Sequence, residues 1–258
     1  YVDRSFGGAI VYEADGSTSN IDFDGSENTF FLDASSEFDF FGFSYDPAYT
    51  DDSEVVVIEG SVGSGTRSIE FGEATGTAED WDVVSFDGLN SGITIDLSTV
   101  DANYDATVTS DGQTVAYVDG AEGVFGTGFG DVVNGDGGRN IIHGGDGTDY
   151  LAGGDNQDLI SGGLGAGDIV RGNAGEDILV DLDGGHLYGD DSGGLRENDS
   201  FVVGQNTTIQ DFDLSPDGAG LSGRSNQIND VVFVQVTAAS LAAAGFTLTE
   251  IYELVSGD

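Results

Sequence analysis

The sequence predicts an all-β chain organised around a solenoid of nine-residue units. Three observations carry this: a glycine-rich turn that recurs at a short fixed period, an acid at a fixed place in each unit, and one position that is always apolar. The most complete unit is Gly144-Gly145-Asp146-Gly147-Thr148-Asp149-Tyr150-Leu151-Ala152. Gly130-Asp131-Val132-Val133-Asn134 and then residues 135–143 precede it. Residues 153–161, residues 162–171 with one residue extra, and residues 172–180 follow it. A fixed short period outranks local propensity as a sign of fold, because stacked units bury a continuous core that none can bury alone.

Each unit joins a turn to a very short strand. The turn needs φ > 0 at several positions and close backbone approach, which glycine supplies without steric cost. In the strand, Val133, Ile142, Leu151, Ile160, Val170 and Leu179 form the constant apolar row. Side chains alternate across a strand, so this row points to the interior. Val132, Ile141, Tyr150, Leu159, Ile169 and Ile178, one place earlier, are also apolar and should face outward. β-Propensity, cover by flanking strands or a partner surface would each account for them. Two units make one coil, and coils stack at roughly 4.8 Å. Equivalent turns then lie two units apart, which puts Asp131, Asp149 and Asp168 in one column and Asn140, Asp158 and Asp177 in the other. Two bare carboxylates about 5 Å apart repel by roughly 1 kcal/mol in water and about 3 kcal/mol at a surface-like dielectric. Burying one lumen aliphatic contributes roughly 1.5–3 kcal/mol. The metal-free coil is therefore expected to be marginal, and a cation between stacked turns reverses the electrostatic sign. Carboxylate and peptide oxygens are hard ligands, which select Ca2+.

The repeat resembles the RTX (hemolysin-type) calcium-binding nonapeptide, Gly-Gly-x-Gly-x-Asp-x-apolar-x. The resemblance implies a right-handed parallel β-roll with several calcium ions, each held between one turn and the turn two units on. Asp149 and Asp168 would share one ion, Asp131 would pair with Asp149, and Asp158 with Asp177. The turns implied as ligands are Gly135, Asp136 and Gly137; Gly144, Gly145, Asp146 and Gly147; Gly153, Gly154 and Asp155; Gly162, Gly163, Leu164 and Gly165; and Gly172. This chain departs from the pattern in four places. Asn140 stands where the family has Asp, so the Asn140–Asp158 site should be weaker. Asn156 replaces a turn glycine, which Asn tolerates better than most residues. Gly167 lengthens one turn. His186 falls near the acid position of a degraded unit, where the column should end.

In chain order, residues 1–52 form an aromatic and acidic β region. Ile21-Asp22-Phe23-Asp24, Thr29-Phe30-Phe31-Leu32 and Phe38-Asp39-Phe40-Phe41-Gly42-Phe43 read as half-buried strands. Their aromatics pack a β cap or, through Phe41, Phe43, Tyr45 and Tyr49, stack on carbohydrate. Residues 53–125 form an irregular β region that leads into the roll and covers its first coil. Its strands are Val55-Val56-Val57-Ile58, Ser68-Ile69-Glu70-Phe71, Val83-Val84-Ser85-Phe86 and Ile93-Thr94-Ile95-Asp96-Leu97, separated by Gly and Asp as at Asp87-Gly88 and Asp111-Gly112. Trp81 is expected to pack at the junction. Residues 126–203 are the roll, with an inserted loop at Ser192-Gly193-Gly194-Leu195-Arg196-Glu197; Asn198-Asp199-Ser200-Phe201-Val202-Val203 resembles the last strand of an RTX block. Residues 204–258 form a C-terminal cap similar to serralysin-type RTX regions. Asp211 and Asp213 end a strand there or bind a further ion, Asp230-Val231-Val232-Phe233-Val234-Gln235-Val236 is a strand, and Thr237 caps a short helix over 238–244. A solenoid needs such a cap, since its open end exposes apolar strands and unpaired backbone.

Composition narrows the partners. The 258 residues carry a net charge of −42 and no lysine, which argues against nucleic acid and anionic membrane surfaces. The 10% aromatic and 38% hydrophobic content argues for a folded core despite that acidity. There is no cysteine, so the fold does not depend on disulfides. No stretch approaches the roughly 18–20 apolar residues of a membrane span. Tyr1-Val2-Asp3-Arg4 lacks a signal-peptide pattern and leads us to expect a fragment or a processed chain. Calcium sites of modest affinity fill outside the cell, which points to a secreted, extracellular or cell-surface protein. The resemblance adds type I secretion, with Ile251-Tyr252-Glu253-Leu254-Val255-Ser256-Gly257-Asp258 as a candidate export terminus.

No motif marks a catalytic centre. His-Glu-x-x-His, Gly-x-Ser-x-Gly and any cysteine nucleophile are missing, and His143 and His186 lie within the repeats as spacers. The first functional expectation is a secreted calcium-binding RTX module that folds on binding Ca2+ and stabilises or assembles an extracellular protein. The second is a surface-layer, matrix or adhesive structural protein that self-associates with calcium. The third is a carbohydrate-binding or polysaccharide-modifying module that uses the N-terminal aromatics.

Overall fold

The computed structural model describes residues 8–12, 18–22, 28–34, 38–41, 54–63, 67–71, 81–99, 106–190, 198–204, 206–211 and 231–234. These residues are all-β, and none of them forms a helix long and apolar enough to cross a membrane. The helix expected over 238–244 lies outside them, as do Phe43, Tyr45, Tyr49 and Asp213.

Among the described residues, ten strands precede the repeats: β1 (Gly8–Tyr12), β2 (Thr18–Asp22), β3 (Asn28–Asp33), β4 (Phe38–Phe41), β5 (Glu54–Gly60), β6 (Arg67–Glu70), β7 (Val83–Leu89), β8 (Ile93–Asp96), β9 (Ala106–Ser110) and β10 (Gln113–Asp119). The repeat region supplies β11 (Gly123–Phe125), β12 (Val132–Asn134), β13 (Ile141–Asp146), β14 (Tyr150–Asp155), β15 (Leu159–Leu164), β16 (Ile169–Ala174), β17 (Ile178–Asp181) and β18 (His186–Asp190). β19 (Ser200–Val203), β20 (Thr208–Ile209) and β21 (Val231–Val234) follow.

From β11 onward the strands alternate between two sheets, so a coil is two strands and each strand pairs in parallel with the one two further on. The glycine-rich turn allows this, because it reverses the chain between sheets within a few residues. The strands before the repeats extend the same sheets edge to edge. β11 pairs in parallel with β7, β7 with β5 and β5 with β3. β12 pairs in parallel with β8, after which the second sheet turns antiparallel through β9 and β10. The first repeat coil is thus covered by strand pairing. The two Asp-Gly dipeptides behave differently. Asp111 and Gly112 both have positive φ (50° and 75°) and make the tight turn between β9 and β10, the backbone such a two-residue hairpin requires. Asp87-Gly88, expected to separate strands, lies inside β7, where the register against β5 shifts between Val57 and Glu59. The extra residue there is taken up as a bulge.

Among the described residues, one core runs between the two sheets. Val56, Val84, Val124, Ile142, Ile160, Leu179 and Phe201 lie in register across the first sheet, and Ile95, Val133, Leu151, Val170 and Leu187 across the second. All are buried and belong to a single apolar cluster. The expected inward row is therefore the lumen. Of the outward row, Val132, Tyr150, Leu159 and Ile178 are exposed and Ile141 and Ile169 half-buried. Trp81 carries the Arg139 guanidinium over its ring at 5.0 Å, which ties it to the first repeats.

Candidate metal centre

An acid directly precedes most repeat strands, with Asn140 in that place before β13 and Gly185 before β18, and the parallel register stacks these positions at the corners of the coils. Asp149 Oδ1 accepts the Asp131 N–H at 2.8 Å, and Asp168 Oδ1 accepts the Asp149 N–H at 2.9 Å. In the other column Asp158 Oδ1 accepts from Asn140 at 2.8 Å, Asp177 Oδ1 from Asp158 at 2.8 Å and Asp199 Oδ1 from Asp177 at 3.0 Å. One oxygen of each acid therefore ties its own coil to the backbone of the coil before. The head of the first column is closed by the N–H groups of Ile93 and Thr127 on Asp131, both at 2.6 Å.

The other oxygen folds back over the glycine that opens the unit. A Cβ at Gly144, Gly153 or Gly172 would collide with the carboxylate of Asp149, Asp158 or Asp177 respectively. At Gly144 it would also meet the Gly162 carbonyl of the next coil. The acid and the first glycine of the motif are thus one device: the glycine leaves the space that the carboxylate occupies.

These corners are dry. Asp131, Asp149, Asp158, Asp168, Asp177, Asp181 and Asp199 are all buried, none more than 3% exposed. Oδ2 of Asp149, Asp158, Asp168 and Asp181 accepts no hydrogen bond, and leaving such a group unmatched is costly. Burial pushes the Asp149 carboxyl up to about 7, with Asp131, Asp168 and Asp146 adding like charge. It pushes Asp158 up to about 7, with Asp136 and Asp155 acting the same way and Arg139 opposing them. Asp168 rises to about 6, first through burial and then through Asp181 and Asp183. Asp131 is raised by burial as well, against the hydrogen bonds it accepts. A buried carboxylate in this state takes up either a proton or a cation. One carboxylate oxygen from each of Asp168, Asp181 and Asp183 also lies within 4.8 Å of the other two, so this acidic cluster can hold a metal ion. The donors are oxygens throughout, and the orphaned oxygens fit a hard cation such as calcium.

The other expected ligands differ in how deeply the structure sets them. Asn140 stands in its column without the charge: its N–H donates to Asp158 Oδ1 at 2.8 Å as the acids' do, but its own Oδ1 accepts the Asp136 N–H of the same unit at 2.9 Å. Gly135, like Gly144, has no room for a Cβ, which would meet Asn140 and the Gly153 carbonyl. Gly145, Gly147, Gly154, Gly163 and Gly165 have positive φ in the turns, and Asn156 adopts the same region at 67°. Asp136 is half-buried and accepts the Gly138 N–H at 2.7 Å. Asp146 and Asp155 are exposed, and Leu164, in register with Asp146, is 65% exposed. Gly137 is also exposed. The additional Gly167, at φ 98°, is absorbed in its turn and leaves Asp168 in register. Asp211 spends both oxygens on backbone, accepting the N–H groups of Gly189 and Asp190 at 2.9 and 3.1 Å. His143 meets Phe125 edge to face, and His186 contacts Gln210 at 3.0 Å; both histidines are exposed on the strands.

Four acids at these corners were not anticipated. Asp199 continues its column across 22 residues, and Glu122 extends it the other way by accepting the Asp82 N–H at 2.9 Å. Their signal was present: Asp199-Ser200-Phe201 and Glu122-Gly123-Val124 repeat the acid-x-apolar tail of the unit. Asp181 and Asp183 carry no such signal, because Asp181 ends β17 and Asp183 lies in the turn after it, so neither stands directly before a strand. No protein-family model matches the chain, and no curated protein matches it.

Proposed function

We propose that this chain is a calcium-binding module of the RTX kind, from a secreted protein, whose repeat coils reach their stable form on binding Ca2+ outside the cell. The observation that carries the reading is the row of buried corner carboxylates, each with one oxygen engaged by the neighbouring coil and, at Asp149, Asp158 and Asp168, a second oxygen with no partner. Asp131, Asp149, Asp168, Asp158 and Asp177 would hold the ions. A bound divalent cation supplies the positive charge that lets these groups remain ionised in a dry corner. The protein's own part is to aim the carboxylates by backbone hydrogen bonds and to exclude water with the aliphatic lumen. Circular dichroism in calcium and in chelator, with a count of bound ions per chain, tests the reading. We expect a gain of β signal with calcium and several ions bound; an unchanged spectrum with no bound ion would overturn it.

The exposed Leu159 and Ile178 on one face and Val132 and Tyr150 on the other favour a second reading, assembly of copies through the faces of the roll in calcium. Light scattering across a calcium titration tests it, and mass that stays monomeric rejects it.

A further inference from the structure

We propose that Asp168, Asp181 and Asp183 form a calcium site of a different kind from the repeat corners, and that it binds its ion more tightly than they do. The inference rests on the calcium reading above. Its starting point is a gap in the first acid column. Ile169 pairs with His186, so Gly185 stands where the next acid belongs. Asp181, at the end of β17, fills that gap from a different direction.

The three carboxylates share one arrangement. Asp181 Oδ1 accepts the N–H groups of Asp183, Gly184 and Gly185 at 3.2, 3.0 and 2.9 Å and the Thr207 hydroxyl at 2.7 Å. Asp183 Oδ2 accepts the Gly165 N–H at 2.8 Å, and Asp168 Oδ1 that of Asp149 at 2.9 Å. The remaining oxygens, Asp168 Oδ2, Asp181 Oδ2 and Asp183 Oδ1, accept nothing, and Asp168 and Asp181 are at most 1% exposed. Two of these free oxygens converge on one point: a Cβ on Gly162 would lie 2.8 Å from Asp168 Oδ2 and 3.0 Å from Asp181 Oδ2. One oxygen from each carboxylate lies within 4.8 Å of the others.

Three carboxylates, against two at a repeat corner, meet here in a setting already fixed by six hydrogen bonds. Calcium affinity follows ligand charge and rigidity, so this site should fill first. It offers neither nitrogen nor sulfur to a softer metal, and Mg2+ retains its waters too firmly for such a dry cluster. An ion here would join the turn before β16 to the end of β17 and the turn after it, with Asp181 held by Thr207 from the segment leading into β20.

Calorimetric titration of metal-free chain with calcium, on wild type and Asp183→Asn, tests this. Asn keeps an oxygen for the Gly165 N–H but presents no charge to the ion. We expect wild type to bind one ion at least tenfold more tightly than the rest, and Asp183→Asn to lose that step while keeping the weaker ones. Thr207→Val, which removes only the hydroxyl on Asp181, should weaken the first step several-fold and spare the others. A single class of ions in wild type, or a first step unchanged in both variants, overturns the proposal while leaving the calcium reading standing. Wild type that binds no calcium overturns both.

Discussion

Two stretches of the chain solve the same packing problem with different chemistry. In β5 and β7 both inward positions hold large side chains, Val56 and Ile58 in the first, Val84 and Phe86 in the second. In β13, β14, β15 and β16 the first inward position is Ile142, Leu151, Ile160 or Val170, but the second is Gly144, Gly153, Gly162 or Gly172. Each repeat strand thereby forgoes roughly 1.5–3 kcal/mol of apolar burial. What it gains is the space over that glycine into which the corner carboxylate folds. The upstream coils are held by a two-row core, the repeat coils by a one-row core and a corner whose charge is unsettled. The lumen is shared; the buried acids are concentrated in the repeats.

That contrast predicts where chelation acts. Hydrogen exchange should rise more than about a hundredfold in β13 to β17 when calcium is withdrawn, because local opening there costs little once the corners repel. β5, β7 and the β9–β10 hairpin should change by no more than a few-fold. Equal loss of protection in both stretches would erase the distinction and make the molecule one cooperative unit.

The same contrast explains what could be read from the sequence. The inward row from Val133 to Leu179 was legible because one apolar residue recurs at one offset, and so were the two acid columns. The continuation of the sheets into β3, β5 and β7 was not. The residues are strand-like, but Asn28, Glu54 and Val83 open parallel partners 26 and 29 residues apart, so no short period announces the pairing. Asp181 and Asp183 were missed for a related reason: they reach the column by folding back along the chain. Periodicity reveals what repeats, and a site assembled where the repeat fails leaves no periodic trace.

Gly144 and Gly128 sharpen the claim that the glycine exists to seat the acid. An added methyl at Gly144 meets the Asp149 carboxylate and the Gly162 carbonyl, whereas at Gly128 nothing lies within 4 Å. Gly144→Ala should cost about 1–3 kcal/mol in calcium, the range for overpacking a filled interior, and should lower calcium affinity. Gly128→Ala should stay within about 0.5 kcal/mol of wild type, as is usual for open surface positions. Denaturant unfolding in saturating calcium measures both, and similar costs for the two would remove the acid–glycine coupling.

Protons should stand in for the cation at the repeat corners. Burial raises Asp149 and Asp158 to about 7 and Asp168 to about 6 from an ordinary value near 3.8. A carboxyl raised in the folded state binds protons that the unfolded chain releases, so its contribution is present below about pH 4 and is lost as pH rises through 6 to 7. In chelator, the repeat coils should accordingly be more stable at pH 5.5 than at pH 8, roughly the interval over which these groups titrate. In calcium the trend should reverse, since protons then compete with the ion. Melting curves in both media give the two slopes, and a common sign would mean that the corner acids do not govern repeat stability.

Asn140→Asp is the mildest and most specific change, because it converts one corner to the chemistry of its column neighbours. Asn140 Oδ1 already accepts the Asp136 N–H at 2.9 Å, a bond that a carboxylate makes equally well. The substitution gives up only the long contact from Nδ2 to the Glu122 carbonyl at 3.5 Å. It adds a negative charge next to the Asp158 carboxylate, which should destabilise the chelated protein by about 1 kcal/mol, the scale for neighbouring charges at a partly hydrated corner. With calcium present the added oxygen charge gives the ion a second carboxylate, and the sign should turn: higher affinity at that site and higher stability. The two measurements must therefore move in opposite directions. If stability falls in both media, the corner is read by the protein as a packing position and not as a ligand, and the contrast between one-row and two-row coils loses its electrostatic half.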